Sequence, residues 1–182
     1  PWNGWLRPCS SDLLMTQNGG ISWENAELPV SFIGLNSVYA TTNGKGYVVG
    51  ENGLILTRVS WNEPWLMMSE GQDIEELRSV SFTDDLIGWA VGLKRSVDTG
   101  PAILHTADGG TTWMEQSCDI PSDLESVCFV DTNHGWATGG WMNTNCIVNT
   151  IEGGINWNMQ SFDTTCYMRS IFFTDLMNGW AV

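Results

Sequence analysis

The sequence predicts an all-β fold, a β-propeller of four-stranded antiparallel blades, and three observations predict it. The stretch Thr106-Ala107-Asp108-Gly109-Gly110-Thr111-Thr112-Trp113 recurs as Thr16-Gln17-Asn18-Gly19-Gly20-Ile21-Ser22-Trp23 and as Thr150-Ile151-Glu152-Gly153-Gly154-Ile155-Asn156-Trp157; a longer copy without glycines runs from Thr57 to Trp65. A second pattern keeps step with the first. Leu77, Ser79, Val80, Phe82, Asp84 and Gly88-Trp89-Ala90-Val91-Gly92 return as Leu124, Ser126, Val127, Phe129, Asp131 and Gly135-Trp136-Ala137-Thr138-Gly139. They return again as Met168, Ser170, Ile171, Phe173, Asp175 and Gly179-Trp180-Ala181-Val182, with a weaker copy at Leu35, Ser37, Val38, Ala40 and Gly46-Tyr47-Val48-Val49-Gly50. Third, no segment has helical periodicity, and short strand-like runs are separated by turn signals throughout. Repeats of roughly 42–48 residues that each hold four short strands are the signature of propeller blades, here four repeats plus a partial one.

The elements follow in order. Residues 1–30 form a partial blade, in which Gly4-Trp5-Leu6 reads as a second strand, Asp12 to Thr16 as a third and Trp23 to Val30 as a fourth. Full blades are expected over 35–70, 77–118 and 124–163, and a partial blade over 168–182 supplies a first and a second strand. The recurrent box is a hairpin turn. Its Asp or amide side chain bonds its own backbone, two glycines accept positive φ, and a strand led by tryptophan follows. Thr16, Asn18, Thr106, Asp108, Trp113, Thr150, Glu152 and Trp157 are therefore expected to be structural turn residues, with no catalytic part.

Of 11 tryptophans, Trp5, Trp23, Trp65, Trp89, Trp113, Trp136, Trp157 and Trp180 fall on repeat positions and are expected in the core. Trp2, Trp61 and Trp141 lie off the pattern and remain for recognition. A net charge of -14, from 21 acidic and 7 basic residues, disfavours binding to nucleic acid or to an anionic membrane. No apolar run approaches the roughly 20 residues of a membrane span, so membrane insertion is not expected. The acidic, lysine-poor composition suits an extracellular or cell-surface protein, secreted and bacterial. The chain starts without a methionine, in mid-pattern, so the missing signal peptide leaves secretion open.

Cys9, Cys118, Cys128, Cys146 and Cys166 match no metal-ligand spacing, and neither metal nor cofactor is expected. Cys128 reads as a buried small hydrophobe. Cys118 and Cys166 both fall between repeats, where an oxidising compartment would let them bridge. The odd count leaves one thiol over for another chain.

In an up-and-down meander, the connections between second and third strands share one face with those between repeats, and the boxes lie on the other. The connecting face carries the longest inserts, Leu93 to Pro101 and Gly140 to Asn145, and the inter-repeat acids Asp73, Glu75, Glu76, Asp119, Asp123 and Glu125. Lys94, Arg95, Asp98, Trp141, Asn143, Glu75 and Asp123 are accordingly the candidate partner-binding residues.

The boxes resemble the Asp-box, or bacterial neuraminidase repeat, of sialidase, sortilin-like and some glycoside hydrolase propellers. Ser-Val-x-Phe, Gly-Trp-Ala-Val-Gly and the box together resemble the photosystem II assembly factor family, the Ycf48-like repeats, which also occur in secreted bacterial proteins. The resemblance spans essentially the whole chain and implies the propeller fold, in that family usually of about seven blades. It implies an assembly-factor function for members with a basic surface; the acidic excess here departs from that pattern, and the photosystem role is not carried over.

A sialidase needs an arginine cluster for its substrate carboxylate, whereas Arg7, Arg58, Arg78, Arg95 and Arg169 are scattered in sequence, although Arg78 and Arg169 hold equivalent repeat positions. His105 and His134 sit beside turns, away from any nucleophile pattern. The expectation is a non-enzymatic extracellular scaffold for binding or assembly, with a protein or glycan ligand on the loop face. One alternative is a fibre or other homo-oligomer in which neighbouring chains complete unfinished blades through their terminal strands. A second is a carbohydrate-active propeller, sialidase-like or using paired carboxylates such as Glu75 and Asp123.

Overall fold

The computed structural model describes residues 12–31, 33–41, 43–69, 73–96, 100–120, 122–141, 144–160 and 167–182. The strands are β1 (Leu14–Met15), β2 (Glu24–Asn25), β3 (Leu35–Ala40), β4 (Gly46–Gly50), β5 (Ile55–Arg58), β6 (Leu66–Ser69), β7 (Ile74–Phe82) and β8 (Gly88–Lys94). They continue as β9 (Ala102–Thr106), β10 (Met114–Glu115), β11 (Leu124–Phe129), β12 (Gly135–Trp141), β13 (Thr144–Thr150), β14 (Asn158–Gln160), β15 (Ile171–Phe173) and β16 (Gly179–Ala181). Three antiparallel meanders result, β3-β4-β5-β6, β7-β8-β9-β10 and β11-β12-β13-β14, with two-stranded sheets β1-β2 and β15-β16 at either end. The all-β propeller-blade architecture is what the repeat pattern demands. Strand lengths are uneven, however: outer strands β2 and β10 hold only two residues, and β7 begins at Ile74, ahead of the repeat's leading Leu77.

Successive sheets pack through their first strands, β3 on β7, β7 on β11 and β11 on β15. The repeated serines explain part of that contact. Val127 N donates to Ser79 Oγ at 3.2 Å, Phe129 N to Ser81 Oγ at 3.3 Å and Ile171 N to Ser126 Oγ at 3.2 Å, so one sheet's hydroxyls satisfy the next sheet's amides. Cys128 holds the register of Ser81. It is buried as expected, but its sulfur also accepts from Phe173 N at 3.3 Å, which makes it a hydrogen-bonding residue and more than a space filler. Cys118 and Cys146 are free thiols; Cys9 and Cys166 lie outside the described residues, as do Trp2, Trp5 and Arg7.

Aromatic rings fill the space between sheets. Tyr47 stacks on Phe82 at 3.8 Å, Trp89 on Phe129 at 3.4 Å and Trp136 on Phe173 at 3.7 Å, each pair spanning two sheets. The box tryptophans close the unit edge-on, Trp113 against Phe82 and Trp157 against Phe129, both at 5.9 Å. Such pairs add roughly 0.5–1.5 kcal/mol each beyond the burial itself. Two repeat tryptophans depart from the expected core placement: Trp23 is 57% and Trp180 63% exposed. Trp180 lies in the two-stranded sheet β15-β16 and Trp23 directly precedes β2 of the other end sheet, where among the described residues no neighbouring phenylalanine stacks on them.

Candidate functional site

Every complete first strand is kinked directly after its leading leucine, and β7 has a second register shift between Ile74 and Glu76. The pairing register slips between Leu35 and Ser37, between Leu77 and Ser79, and between Leu124 and Ser126, so Asn36, Arg78 and Glu125 are the extra residues of β-bulges. In the last sheet Arg169 N and Ser170 N both donate to Val182 O, at 2.6 and 3.2 Å, the same two-against-one arrangement. The glycine that ends Gly-Trp-Ala-Val-Gly makes the kink sterically feasible. A Cβ on Gly92 would lie 2.1 Å from Glu76 O, and one on Gly139 would lie 2.0 Å from Asp123 O. That second glycine is thus a requirement of the bulge, and the bulge re-aims the side chain beside it.

The re-aimed side chains converge. Asn36, Arg78, Glu125 and Arg169, with Glu76, line one open cleft of about 500 Å³ along the inner strands. Arg78 Nε meets Glu76 Oε1 at 2.5 Å, and Arg78 Nη1 meets Glu125 Oε1 at 2.5 Å. Asn36 Nδ2 donates to Leu77 O at 2.9 Å, tying the neighbouring bulge to this network. Tyr167 donates its hydroxyl to Glu125, and the Arg169 guanidinium lies over the Tyr167 ring, 5.5 Å from its centroid. The two arginines consequently differ. Arg78 is already committed to carboxylates, whereas no carboxylate pairs with Arg169 among the described residues.

Electrostatics follow the same division. Burial alone would lower the Arg78 pKa, but the Glu76 hydrogen bond and the Glu125, Glu76 and Asp123 charges outweigh it and raise the pKa. Asp123 is only 9% exposed, and burial raises its pKa despite the attraction of Arg78. Arg78 Nη1 stands 3.9 Å from Asp123 Oδ2, which is buried and without a hydrogen bond, and the Glu125, Glu75 and Glu76 charges add to the upward shift. Burial, then the Glu125 contact, pushes the Tyr167 phenol up to about 12.

Of the residues singled out in the sequence, Asp123 reaches this network, whereas Glu75 is exposed and Glu76 stands in the cleft in its place. Lys94 is paired with Glu115 of its own sheet, and Arg95 Nη2 donates to Asn52 Oδ1 of the preceding one at 2.7 Å, so both cations bind their own framework. Trp141 ends β12, and Asp98 and Asn143 lie outside the described residues. Asn36, Arg78, Glu125 and Arg169 were not legible as a site because their types differ; their shared place directly after the repeat's leading apolar residue was the available signal. Arg78 and Arg169, scattered in sequence, line the same cleft.

The box turns lie at the other end of the sheets. Thr106 Oγ1 accepts from Gly110 N at 2.9 Å, and Asp108 accepts from Thr112 N at 2.8 Å and from the Thr112 hydroxyl at 2.7 Å. Gly109 and Gly110 have φ of 71° and 82°. Thr16 and Thr150 bond Gly20 N and Gly154 N in the same way; Asn18 Oδ1 accepts from Ser22 N at 3.0 Å, and Glu152 instead reaches Asn156 Nδ2 at 2.7 Å. Each of the last two boxes also receives a ring from the preceding sheet: Tyr47 OH donates to Gly109 O at 3.3 Å and Trp89 Nε1 to Gly153 O at 3.1 Å. Among the described residues no group of three or more His, Cys, Asp or Glu side chains is placed to hold a metal.

Comparison with known proteins adds names to this geometry. No family model matches the chain. It is similar to the photosystem II assembly lipoprotein Ycf48 of Prochlorococcus marinus strain NATL2A, 39% identical over 62 residues, a match covering 34% of this chain and 16% of that protein. The Ycf48 lipoprotein of Synechococcus sp. strain CC9902 is 34% identical over 97 residues, 50% of this chain and 27% of the relative. Among solved structures, YCF48 bound to a D1 peptide superposes with a TM-score of 0.64 at 24% identity over 82% of this chain and 46% of that one. YCF48 from Cyanidioschyzon merolae gives 0.67 at 17% identity, over 95% and 61%. The structural likeness establishes the propeller fold, and the matches span about a quarter or less of the curated relatives. The extracellular setting expected from composition is corrected by these relatives, which are photosystem II assembly lipoproteins. Net acidity governs solubility and avoidance of polyanions, and does not specify a compartment.

Proposed function

From the premise that the chain is a Ycf48-like propeller-repeat protein, we propose that it is a non-enzymatic module that holds a segment of a partner protein in the cleft formed by its first strands. One observation carries the reading: four successive repeats keep the same kinked backbone while placing four polar side chains, Asn36, Arg78, Glu125 and Arg169, on one cleft. A constant frame with variable polar groups is the arrangement of a recognition surface. The peptide-bound relative supports a polypeptide occupant, and the relatives' names support a part in photosystem II assembly.

The roles divide within the cleft. Arg78, neutralised by Glu76 and Glu125, fixes the spacing of the carboxylates; Glu76, Glu125 and Asn36 offer acceptors and a donor to a passing backbone. Arg169, oriented by Tyr167, supplies the cation for an acidic group on the segment. Calorimetric titration with a synthetic D1 peptide tests this. Saturable binding that weakens about tenfold in Arg169→Ala is the expected result; no binding by the wild-type chain, or equal binding by the variant, would overturn it.

A further inference from the structure

The second repeat breaks the rule its neighbours keep. Phe82, Phe129 and Phe173 each lie against the glycine that opens the next strand, with a Cβ on Gly88, Gly135 or Gly179 falling 2.5–2.6 Å from the ring. At the equivalent position this repeat has Ala40. Against Gly46 lie instead Trp65, at 2.7 Å from such a Cβ, and Arg58 Cγ, at 3.4 Å. The same repeat carries the box that lost its glycines, and the two departures meet in a pocket of about 150 Å³. Its walls include Leu14, Trp23, Tyr39, Trp61 and Trp65, and Arg58 lies in its lining.

Arg58 is the unusual member. The residues at its place in the other boxes, Gln17, Ala107 and Ile151, are exposed, whereas Arg58 is only 5% exposed. Its guanidinium lies 4.5 Å from the Trp61 ring centroid and 5.0 Å from that of Trp65, and Nη1 contacts Met15 Sδ at 3.6 Å. Nε is buried without a hydrogen bond, and no carboxylate pairs with this guanidinium among the described residues. Burying a cation without a counter-charge is costly, and proteins keep such an arrangement where an anion completes it.

We propose that this pocket is a second binding site, distinct from the cleft, for a carboxylate carried on an apolar or aromatic body about the size of one side chain. The guanidinium fork takes the carboxylate while the body lies among the indoles. Trp61, 45% exposed on the turn after β5, is the wall that yields to admit it. Free aromatic acids and the terminal residue of a peptide share this chemistry.

Fluorine NMR on the full chain tests the site and its source. The probes are 4-fluorophenylacetate and an acetylated short peptide ending in 4-fluorophenylalanine, with 4-fluorophenylacetamide as the uncharged control. The expected result is saturable binding of at least one acid, about tenfold or more weaker for the amide and in Arg58→Met. The tighter of the two acids identifies the source. Arg58→Met keeps the aliphatic stem and removes an uncompensated charge, so its Tm should equal or exceed that of the parent. If that variant fails to fold, Ala40→Phe, which restores the ring of the other repeats, should abolish binding in a folded protein. Arg169→Ala should leave acid binding intact, which separates this site from the cleft. Absence of binding by both acids, equal binding of acid and amide, or undiminished binding in a folded Arg58→Met or Ala40→Phe would each overturn the proposal.

Discussion

The two ends of each sheet carry opposite kinds of regularity. At the box turns both backbone and side-chain chemistry repeat: Thr16, Thr106 and Thr150 bond the second glycine of their boxes, and a ring from the preceding sheet bonds the glycine carbonyls of two of them. At the bulges only the backbone repeats, and the side chains run Asn, Arg, Glu, Arg. A position whose chemistry is fixed by its own hydrogen bonds has no freedom left for a ligand. A position whose backbone is fixed by a glycine opposite it can carry any side chain, and this is where recognition can be written without cost to the fold.

That contrast can be broken or sharpened by substitution. The largest effect is expected at the glycine that permits a bulge: Gly139→Ala puts a Cβ 2.0 Å from Asp123 O and should cost about 3 kcal/mol, roughly 6–12 °C in Tm. A melting temperature close to the parent's would show that the bulge does not depend on this glycine.

Asp123→Asn is expected to act in the opposite direction. The folded pKa of Asp123 is raised by burial, so the folded state loses stability as pH rises from the ordinary carboxylate range through that raised value. The amide should raise Tm by about 2–4 °C at neutral pH and leave it unchanged below pH of about 4. A loss of stability at neutral pH would mean that the 3.9 Å contact with Arg78 outweighs desolvation.

The smallest effect belongs to Asp108→Asn. The Thr112 amide and hydroxyl hold the Asp108 carboxyl below its usual range, so its contribution is present above the unfolded value and lost as pH falls through the folded one. Asn18 already fills this role in the first box. The variant should melt within about 2 °C of the parent at neutral pH and lose less stability below pH of about 4. A parallel acid limb in both proteins would remove Asp108 from the pH response.

Much of the fold was legible because the repeat is dense in residues that have one structural use. Gly-Gly after Thr-x-Asp marks a positive-φ turn, and the glycine-tryptophan and Ser-x-x-Phe pairs mark rings that stack between sheets. Trp23 and Trp180 are exposed because a repeat position promises a partner only when the next sheet presents one. The cleft was harder to read. Arg78 and Arg169 share a register, but nothing in their spacing reveals that the leading apolar residue precedes a bulge; only the clash that a side chain would meet at Gly92 and Gly139 explains why the second glycine recurs. Lys94 and Arg95 stand out in the sequence as insert cations, yet Lys94 ends β8, and a charge at such a place is as free to bond its own framework as a partner, which both do here. Arg58 does not stand out in the sequence, since its burial depends on a ring missing eighteen residues earlier, at Ala40.

The most direct test measures Tm and D1-peptide affinity together in Arg169→Ala and Asp108→Ala. Division of labour between bulge and box predicts that Arg169→Ala keeps its Tm and loses about tenfold in affinity, while Asp108→Ala melts about 3–8 °C lower and binds the peptide as the parent does when assayed well below its transition. Loss of peptide binding in a folded Asp108→Ala, with Arg169→Ala unaffected, would place recognition on the box face and contradict the account.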